Sequence, residues 1–152
     1  MNKTKRIRGA AIIFYNDRIV SMYREYKDRK YYTFPGGGKE EYETEEECVI
    51  REVYEEFGIN VKVIRKVYVY EKENAIEHYY IADWIDGDFG SGDGEEYQPD
   101  NVMGLYKPTL INIKDIPSLP LMPPEVAKMF YSDYLENGKE LRKNVIKIYE
   151  EK

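Results

Sequence analysis

The sequence predicts an α/β fold, a sandwich in which helices pack on a mixed central sheet. Two segments, Thr44 to Gly58 and Pro124 to about Glu136, have the apolar stripe of an amphipathic helix, and several other segments are rich in β-branched and aromatic residues. No repeat or low-complexity linker divides the 152 residues. We therefore expect one domain, 1–152, large enough to bury roughly 68–70% of its unfolded surface.

The N-terminal residues are expected to form a hairpin and a third strand. Apolar stretches at 6–14 and 19–23 flank Asn16-Asp17, a typical turn, and strand 31–34 then leads to a run of glycines. We interpret the polar segment 24–30 as a connecting loop.

Arg24 would stand at a strand end in this arrangement. Its guanidinium could there bind substrate phosphates through bidentate hydrogen bonds. We therefore include Arg24 among the candidate substrate contacts.

Three consecutive glycines, Gly36, Gly37 and Gly38, follow Pro35. Glycine adopts backbone conformations closed to other residues and lets the main chain approach a ligand or a metal closely. We interpret this segment as a ligand-binding loop that leads into the first helix.

The first helix has clear end signals. Thr44 and Glu47 have the spacing of a capping box, and Gly58 is the expected stop. The stripe expected to face the core consists of Val49, Ile50, Val53 and Phe57.

The second half of the chain is expected to contribute four strands and one helix. Strands are predicted at 61–70, at 78–85, at 101–110 with its end at Pro108, and at 145–149. Prolines should make 116–124 an extended connector, and the helix from Pro124 should carry Val126, Met129, Phe130 and Tyr134 on one face. His78, the only histidine, is interpreted as an ordinary surface or core residue.

The first helix carries more carboxylates than a solvated face requires. Glu52, Glu55 and Glu56 stand at positions i, i+3 and i+4, which places their side chains on one flank. Like charges at this spacing cost roughly 0.2–0.5 kcal/mol per pair. A hard divalent cation such as Mg²⁺, which prefers oxygen ligands, would offset this repulsion. A simple solvated helix face is the alternative.

Glycines and helix together resemble the signature of the Nudix hydrolases. Five residues separate Gly37 from Glu43, and seven more separate Glu43 from the run Arg51-Glu52-Val53-Tyr54-Glu55-Glu56-Phe57-Gly58-Ile59. Pro35-Gly36-Gly37 is similar to the residues that usually precede this signature. Fixed identities at fixed gaps make the motif far more specific than a single glycine pattern.

This resemblance implies a Nudix-type α/β/α sandwich with a mixed central sheet, in which the first helix lies between sheet layers. It also implies that the carbonyl of Gly37 and the carboxylates of Glu52, Glu55 and Glu56 bind the metal. The three glycines at 36–38 would border the substrate.

Further residues receive roles from the same resemblance. Glu43 and Arg51 would form a supporting pair, with Arg51 also orienting a catalytic carboxylate. Many family members supply one more glutamate from a mobile loop in the region of residues 86–96, so Glu95 or Glu96 would complete the metal shell or act as the base. A solvated acidic loop is the alternative.

The implied activity is hydrolysis of a phosphoanhydride bond with Mg²⁺, or Mn²⁺, as cofactor. The metal would neutralise phosphate charge and acidify a water molecule, and a glutamate would take the proton of that water. Glu52 is the first choice for this base, with the loop carboxylates still open. The substrate would be a nucleoside triphosphate or another nucleoside-diphosphate-linked compound, as in sanitising the nucleotide pool.

Two other classes of function remain open at this point. One is a catalytically silent Nudix-fold sensor that binds a nucleotide without cleaving it. The other is an acidic protein that buffers metal ions and has no substrate.

Charge and cysteine content limit the partners. A formal charge of −6 disfavours binding to nucleic acid or anionic membranes, so we expect a small-molecule nucleotide as partner. The single cysteine, Cys48, cannot form an internal disulfide, and no cysteine/histidine cluster suggests zinc. Without a signal-like or membrane-spanning apolar run, a cytoplasmic location is expected. Edge strands of a small sheet are compatible with a homodimer.

Overall fold

The computed structural model describes residues 4–92 and 104–151. Strands β1 (Arg6–Ile12), β2 (Phe14–Tyr15), β3 (Arg18–Tyr26), β4 (Arg29–Thr33) and β5 (Gly36–Gly38) precede helix α1 (Glu45–Phe57). Then follow β6 (Ile59–Glu71), β7 (Ala75–Gly87), β8 (Leu105–Asn112), β9 (Leu121–Met122), helix α2 (Pro124–Asn137) and β10 (Ile146–Tyr149). Short 3-10 helices span Ile113–Ser118 and Gly138–Glu140.

The strands form two sheets. The first has the order β10-β6-β7-β1-β5 and is mixed, because β1 runs parallel to β7 and β10 parallel to β6 while the other pairs are antiparallel. The second has the order β2-β3-β4-β9, and β8 also pairs with β3. The mixed α/β prediction is confirmed, and the structure adds that the strands are divided between two sheets.

The two helices pack on opposite faces of the first sheet. Ala10 of β1 belongs to the hydrophobic cluster that contains Phe130 of α2, whereas its neighbour Ala11 belongs to the cluster that contains Val53 of α1. Successive side chains of a strand point to opposite faces, so β1 separates the two halves of the core. Met22 of the second sheet also packs in the α1 cluster, which places α1 between the two sheets.

The N-terminal hairpin is confirmed, with Asn16 at a φ of 55° in its turn. The loop predicted at 24–30 is wrong, because β3 continues to Tyr26 and β4 starts at Arg29 after a turn with Lys27 at a φ of 56°. The charged strand residues of this segment are half-buried or exposed, and an antiparallel pair with a solvated face accommodates them.

Three further expectations are corrected. The glycines at 36–38 are not a loop but strand β5, paired with β1. Strand β8 does not end at Pro108, which lies opposite Met22 within it; proline is tolerated there because β8 pairs only with β3 among the described residues. The connector at 116–124 is only partly extended, since its first residues complete a 3-10 helix, whereas Leu121–Met122 form strand β9.

Both helices begin and end close to the predicted residues. Within α1 the predicted apolar stripe is buried except Ile50, which is 39% exposed at the edge of the stripe, and the buried face includes Cys48 and Glu56 instead. The final strand is confirmed as β10. Across 4–92 and 104–151, neither helix has the length and apolarity that a membrane span requires.

Candidate active site

Helix α1 is fixed at both ends. Thr44 N donates to Glu47 Oε1 at 2.8 Å, and Glu47 N donates to Thr44 Oγ1 at 3.1 Å, which completes the capping box. At the other end Gly58 adopts a left-handed φ of 75° and donates its N–H to Tyr54 O. The glutamates in between are therefore carried by a rigid element.

Glu56 connects α1 to the glycine strand. Its side chain is almost fully buried, and its Oε1 accepts a hydrogen bond from Gly36 N at 3.0 Å. The carboxylate thus lies at the edge strand of the first sheet.

Glu52 lies directly against Gly37. A Cβ on Gly37 would stand only 2.4 Å from the Glu52 carboxylate, so the absence of a side chain at position 37 creates the space in which Glu52 sits. Burial raises the pKa of Glu52, and the adjacent Arg51 guanidinium opposes this shift. Glu52 is therefore a partly desolvated carboxyl group that binds a proton more readily than an exposed one.

Arg51 is the centre of an ionic network. Its Nε and Nη2 donate to both oxygens of Glu43 at 3.0 and 2.7 Å, and Nη2 also donates to Gly38 O at 3.0 Å. Its Nη1 donates to Glu52 Oε1 at 2.8 Å and to Glu55 Oε1 at 3.2 Å. The hydrogen bonds from Arg51 lower the pKa of Glu43 to about 2. One guanidinium thus ties the segment before α1, the glycine strand and two glutamates together.

The donor set of this flank suits a hard divalent cation, which takes carboxylate and carbonyl oxygens. Among the residues that the structure describes, no three Asp, Glu, His or Cys side chains already converge into a metal cluster. Glu52 and Glu55 both form ion pairs with Arg51, whereas Glu56 accepts a hydrogen bond from Gly36 N. The oxygen ligands of this flank are therefore of the type that binds a divalent cation. A bound cation would favour the ionised form of the buried Glu52.

A cleft of about 730 Å³ begins at the same glycine strand. Its walls come from β1, β4, β5, the β6–β7 turn region and the start of α2. Gly36 lines it, and Gly36 is also the residue that Glu56 binds. The carboxylate flank and the cleft therefore meet at β5.

The inner wall of the cleft combines aromatic and charged groups. Phe34 packs edge-on against Tyr79 with ring centroids 5.4 Å apart. Tyr79 donates its hydroxyl to Glu77 Oε1 at 2.7 Å, and the other oxygen of Glu77 lies 3.4 Å from both Arg8 Nε and Lys72 Nζ. Such a wall can contact a ring on one side and polar or anionic groups on the other.

Other residues singled out in the sequence lie elsewhere. The Arg24 guanidinium is on β3 within 3.7 Å of the Tyr106 ring centroid, and Arg24 is not among the described residues that line the cleft. His78 Nδ1 lies 3.3 Å from Glu45 Oε1 at the start of α1, and burial lowers the pKa of this histidine. Glu95 and Glu96 lie outside the described residues.

Sequence reasoning missed the cleft walls. Arg6 and Arg8 line the cleft from β1, Arg29 and Tyr31 line it from β4, and Lys72 lies at the end of β6. The available signal was the alternation on β1, where two arginines occupy the same strand face as the buried Ala10.

Comparison with known proteins places these features in a family. The sequence model of the NUDIX domain family matches residues 5–121 of this chain. No curated protein has a sequence that matches this chain significantly.

Several solved structures share the fold. A NUDIX hydrolase from Nitrosomonas europaea is 18% identical to this chain, with a TM-score of 0.77, and the match covers 100% of this chain and 82% of the Nitrosomonas chain. An ADP-ribose pyrophosphatase from Streptococcus suis is 16% identical with a TM-score of 0.66, covering 97% and 100%. A structure described for MutT of Aliivibrio salmonicida and Vibrio cholerae is 19% identical with a TM-score of 0.60, covering 84% and 96%.

Proposed function

Since this chain belongs to the Nudix family, we propose that it is a Mg²⁺-dependent pyrophosphohydrolase that cleaves a phosphoanhydride bond in a nucleoside triphosphate or another nucleoside-diphosphate-linked compound. The observation that carries the proposal is the meeting of two features at β5. Glu56 of the signature helix binds Gly36 N, and Gly36 lines the 730 Å³ cleft. A substrate held in the cleft would therefore extend its phosphates toward the carboxylate flank.

The charge distribution supports an anionic substrate. The whole chain has a formal charge of −6, yet Arg6, Arg8, Arg29 and Lys72 all line this one cleft. Glu77, Glu125, Glu150 and Glu151 line it as well, and Glu77 pairs with Arg8 and Lys72, so Arg6 and Arg29 are the cations left to attract a phosphate. Because the net charge of the chain is negative, we also propose that small-molecule nucleotides and not nucleic acids are the substrates. We further propose that the enzyme works in the cytoplasm.

Each residue of the flank has a distinct proposed role. Glu52, Glu55 and Glu56, with the Gly37 carbonyl, would hold Mg²⁺, which when bound supplies positive charge at the diphosphate and acidity to the attacking water. Glu52 would take the proton of that water at a carboxylate oxygen. Arg51 would hold Glu52 in place.

The printed names of the structural neighbours suggest which substrates to compare. One is an ADP-ribose pyrophosphatase and another is MutT. We therefore propose a screen of nucleoside triphosphates, oxidised nucleoside triphosphates, dinucleoside polyphosphates, nucleotide sugars and ADP-ribose with Mg²⁺. Release of pyrophosphate, orthophosphate or a sugar phosphate identifies which bond is cleaved.

Glu56→Gln provides the decisive variant. Glutamine keeps an oxygen that accepts from Gly36 N, so the fold should persist, whereas the lost charge should reduce Mg²⁺-dependent turnover to background. Glu136→Gln, an exposed site on α2, is the matched control and should keep full activity. A fully active Glu56→Gln enzyme would contradict the proposal, and binding of a nucleotide without any product in the wild-type protein would indicate the sensor.

A further inference from the structure

Arg6 and Arg29 differ from the other arginines of the part of the chain that the structure describes. Three of the others pair with carboxylates, namely Arg8, Arg51 and Arg142. Arg18 donates to the side-chain oxygen of Asn112, Arg65 donates to a backbone carbonyl, and Arg24 also has an interaction partner. Arg6 and Arg29 have neither a side-chain hydrogen bond nor an ion pair within residues 4–92 and 104–151. Both line the same cleft, Arg6 from the first sheet and Arg29 from the second.

Arg6 has a defined seat on the glycine strand. A Cβ on Gly38 would stand 2.4 Å from Arg6 Nη2 and 2.9 Å from its Nε, so the guanidinium lies against bare backbone. The carbonyl of Gly38 accepts a hydrogen bond from Arg51 Nη2. Arg6 is thus next to the strand at which the cleft meets the carboxylate flank.

Arg29 is also oriented by a neighbour. Its Cζ lies 4.9 Å from the ring centroid of Tyr31, a cation–π distance, and Tyr31 lines the cleft as well. This contact does not engage the N–H donors of Arg29 in a hydrogen bond to the oxygen of a carboxylate or carbonyl group. The other two cations of the cleft, Arg8 and Lys72, are already close to the carboxylate of Glu77.

We propose that Arg6 and Arg29 form an anion clamp, which binds one phosphate of the scissile diphosphate from opposite walls of the cleft. Guanidinium groups match phosphate oxygens with two parallel hydrogen bonds, and these charge-assisted bonds are strong. The clamp rests on the proposed function and adds two positioning residues to it. It would fix the phosphoanhydride bond next to β5, the edge strand whose opposite face contacts Glu52 of α1.

Inorganic pyrophosphate is a suitable probe because it lacks a base and a sugar. We would titrate it into the full-length protein with a metal chelator present and follow the Nε–Hε NMR signals of the arginines. The signals of Arg6 and Arg29 should shift along one saturating curve, while that of Arg18, on the second sheet outside the cleft, should stay unchanged. Equal shifts at Arg18, or no saturation at Arg6, would overturn the clamp.

Substitutions test whether both arginines hold the same anion. Arg6→Gln and Arg29→Gln should each weaken pyrophosphate binding roughly tenfold, and the matched Arg18→Gln should not change it. Because the two residues share one ligand, the loss in the double variant should be smaller than the product of the single losses. Independent losses that multiply fully would overturn a shared site.

Gly38→Ala tests the seat of Arg6. The three atoms nearest to the added Cβ all belong to the flexible end of Arg6, so the chain should fold while the guanidinium is displaced. Pyrophosphate binding should then fall as in Arg6→Gln, with no further loss when both changes are combined. Wild-type binding by Gly38→Ala would contradict the seat, and if this variant does not fold, the arginine double variant still decides.

The clamp and the proposed hydrolysis can fail separately. In an active enzyme Arg6→Gln and Arg29→Gln should raise KM for the substrate more than they lower kcat. Arginine-dependent pyrophosphate binding without turnover of any compound would disprove the hydrolase and leave the clamp intact. Turnover that is unaffected by both arginine variants would disprove the clamp and leave the hydrolase intact.

Discussion

Arg51 Nη1 lies 2.8 Å from Oε1 of Glu52, so the proposed base is held by a guanidinium on the same helix. The same group binds both oxygens of Glu43 in the segment before α1. A movement of Arg51 would therefore change the position of Glu52 and the attachment of the glycine strand together. We therefore propose that Arg51 positions Glu52 for catalysis in addition to its structural role.

We expect Arg51→Gln to lower kcat roughly 100-fold, because misplacing a reacting group by about 1 Å costs this much. Arg51→Lys should recover only part of the loss, since lysine lacks the planar fork that binds two carboxylates at once. Steady-state kinetics with Arg18→Gln as the charge-matched control measures the effect. Unchanged kcat in a folded Arg51→Gln enzyme would show that Glu52 does not depend on this contact.

Two neighbouring glycines should respond to alanine in different ways. In Gly37→Ala the new Cβ would meet the end of the flexible Glu52 side chain, so stability should change little and kcat should fall. In Gly36→Ala the Cβ would stand 2.3 Å from the backbone carbonyl of Gly9, and φ is 153°, so stability should fall by about 1–3 kcal/mol. Urea unfolding and kinetics on both variants separate the two effects, and the reverse ranking would contradict the geometry.

The Glu43–Arg51 pair should make stability depend on acid pH. The hydrogen bonds from Arg51 lower the pKa of Glu43 from its ordinary value of 4.5 to about 2 in the folded protein. The stabilisation is therefore complete above pH 4.5 and is lost as the pH falls toward 2, and it amounts to about 3 kcal/mol. Measured by urea unfolding with a chelator, Glu43→Gln should lose less stability than the wild type between pH 6 and pH 3. Parallel profiles would contradict this assignment.

Local signals were sufficient to predict both helices. The capping box of Thr44 and Glu47 acts within four residues, and Pro124 and Gly138 mark the ends of α2 through backbone preferences of their own. The hairpin at Asn16 is equally local. These features do not depend on which strands become neighbours, so the sequence contains them directly.

The glycine strand and the cleft depend on contacts that are distant in sequence. Three glycines favour a loop by propensity, but close approach to the backbone of β1 makes them a strand. Arg6 and Arg29 reach the same cleft only because β1 and β4 lie in two sheets that enclose it. Neither residue carries a motif, so only the assembled structure brings them together.

Asp133 anchors the end of α2 and supports a final prediction, about stability alone. Its side chain is buried and accepts hydrogen bonds from Tyr68 Oη at 2.8 Å, Asn137 Nδ2 at 2.7 Å, and Arg142 N and Nε at 3.1 and 3.2 Å. Asp133→Asn should lower the free energy of unfolding by about 3 kcal/mol, because a neutral amide replaces a charged acceptor and leaves Arg142 less compensated.

The control for this change is Asp83→Asn, at an exposed position of β7, which should stay within about 0.5 kcal/mol of the wild type. Tyr68→Phe removes one donor and should cost about 1–2 kcal/mol. Because neither Tyr68 nor Asp133 lines the cleft, kcat of the folded variants at low temperature should stay near the wild-type value. If Asp133→Asn unfolds at the same denaturant concentration as Asp83→Asn, the network does not stabilise this end of α2.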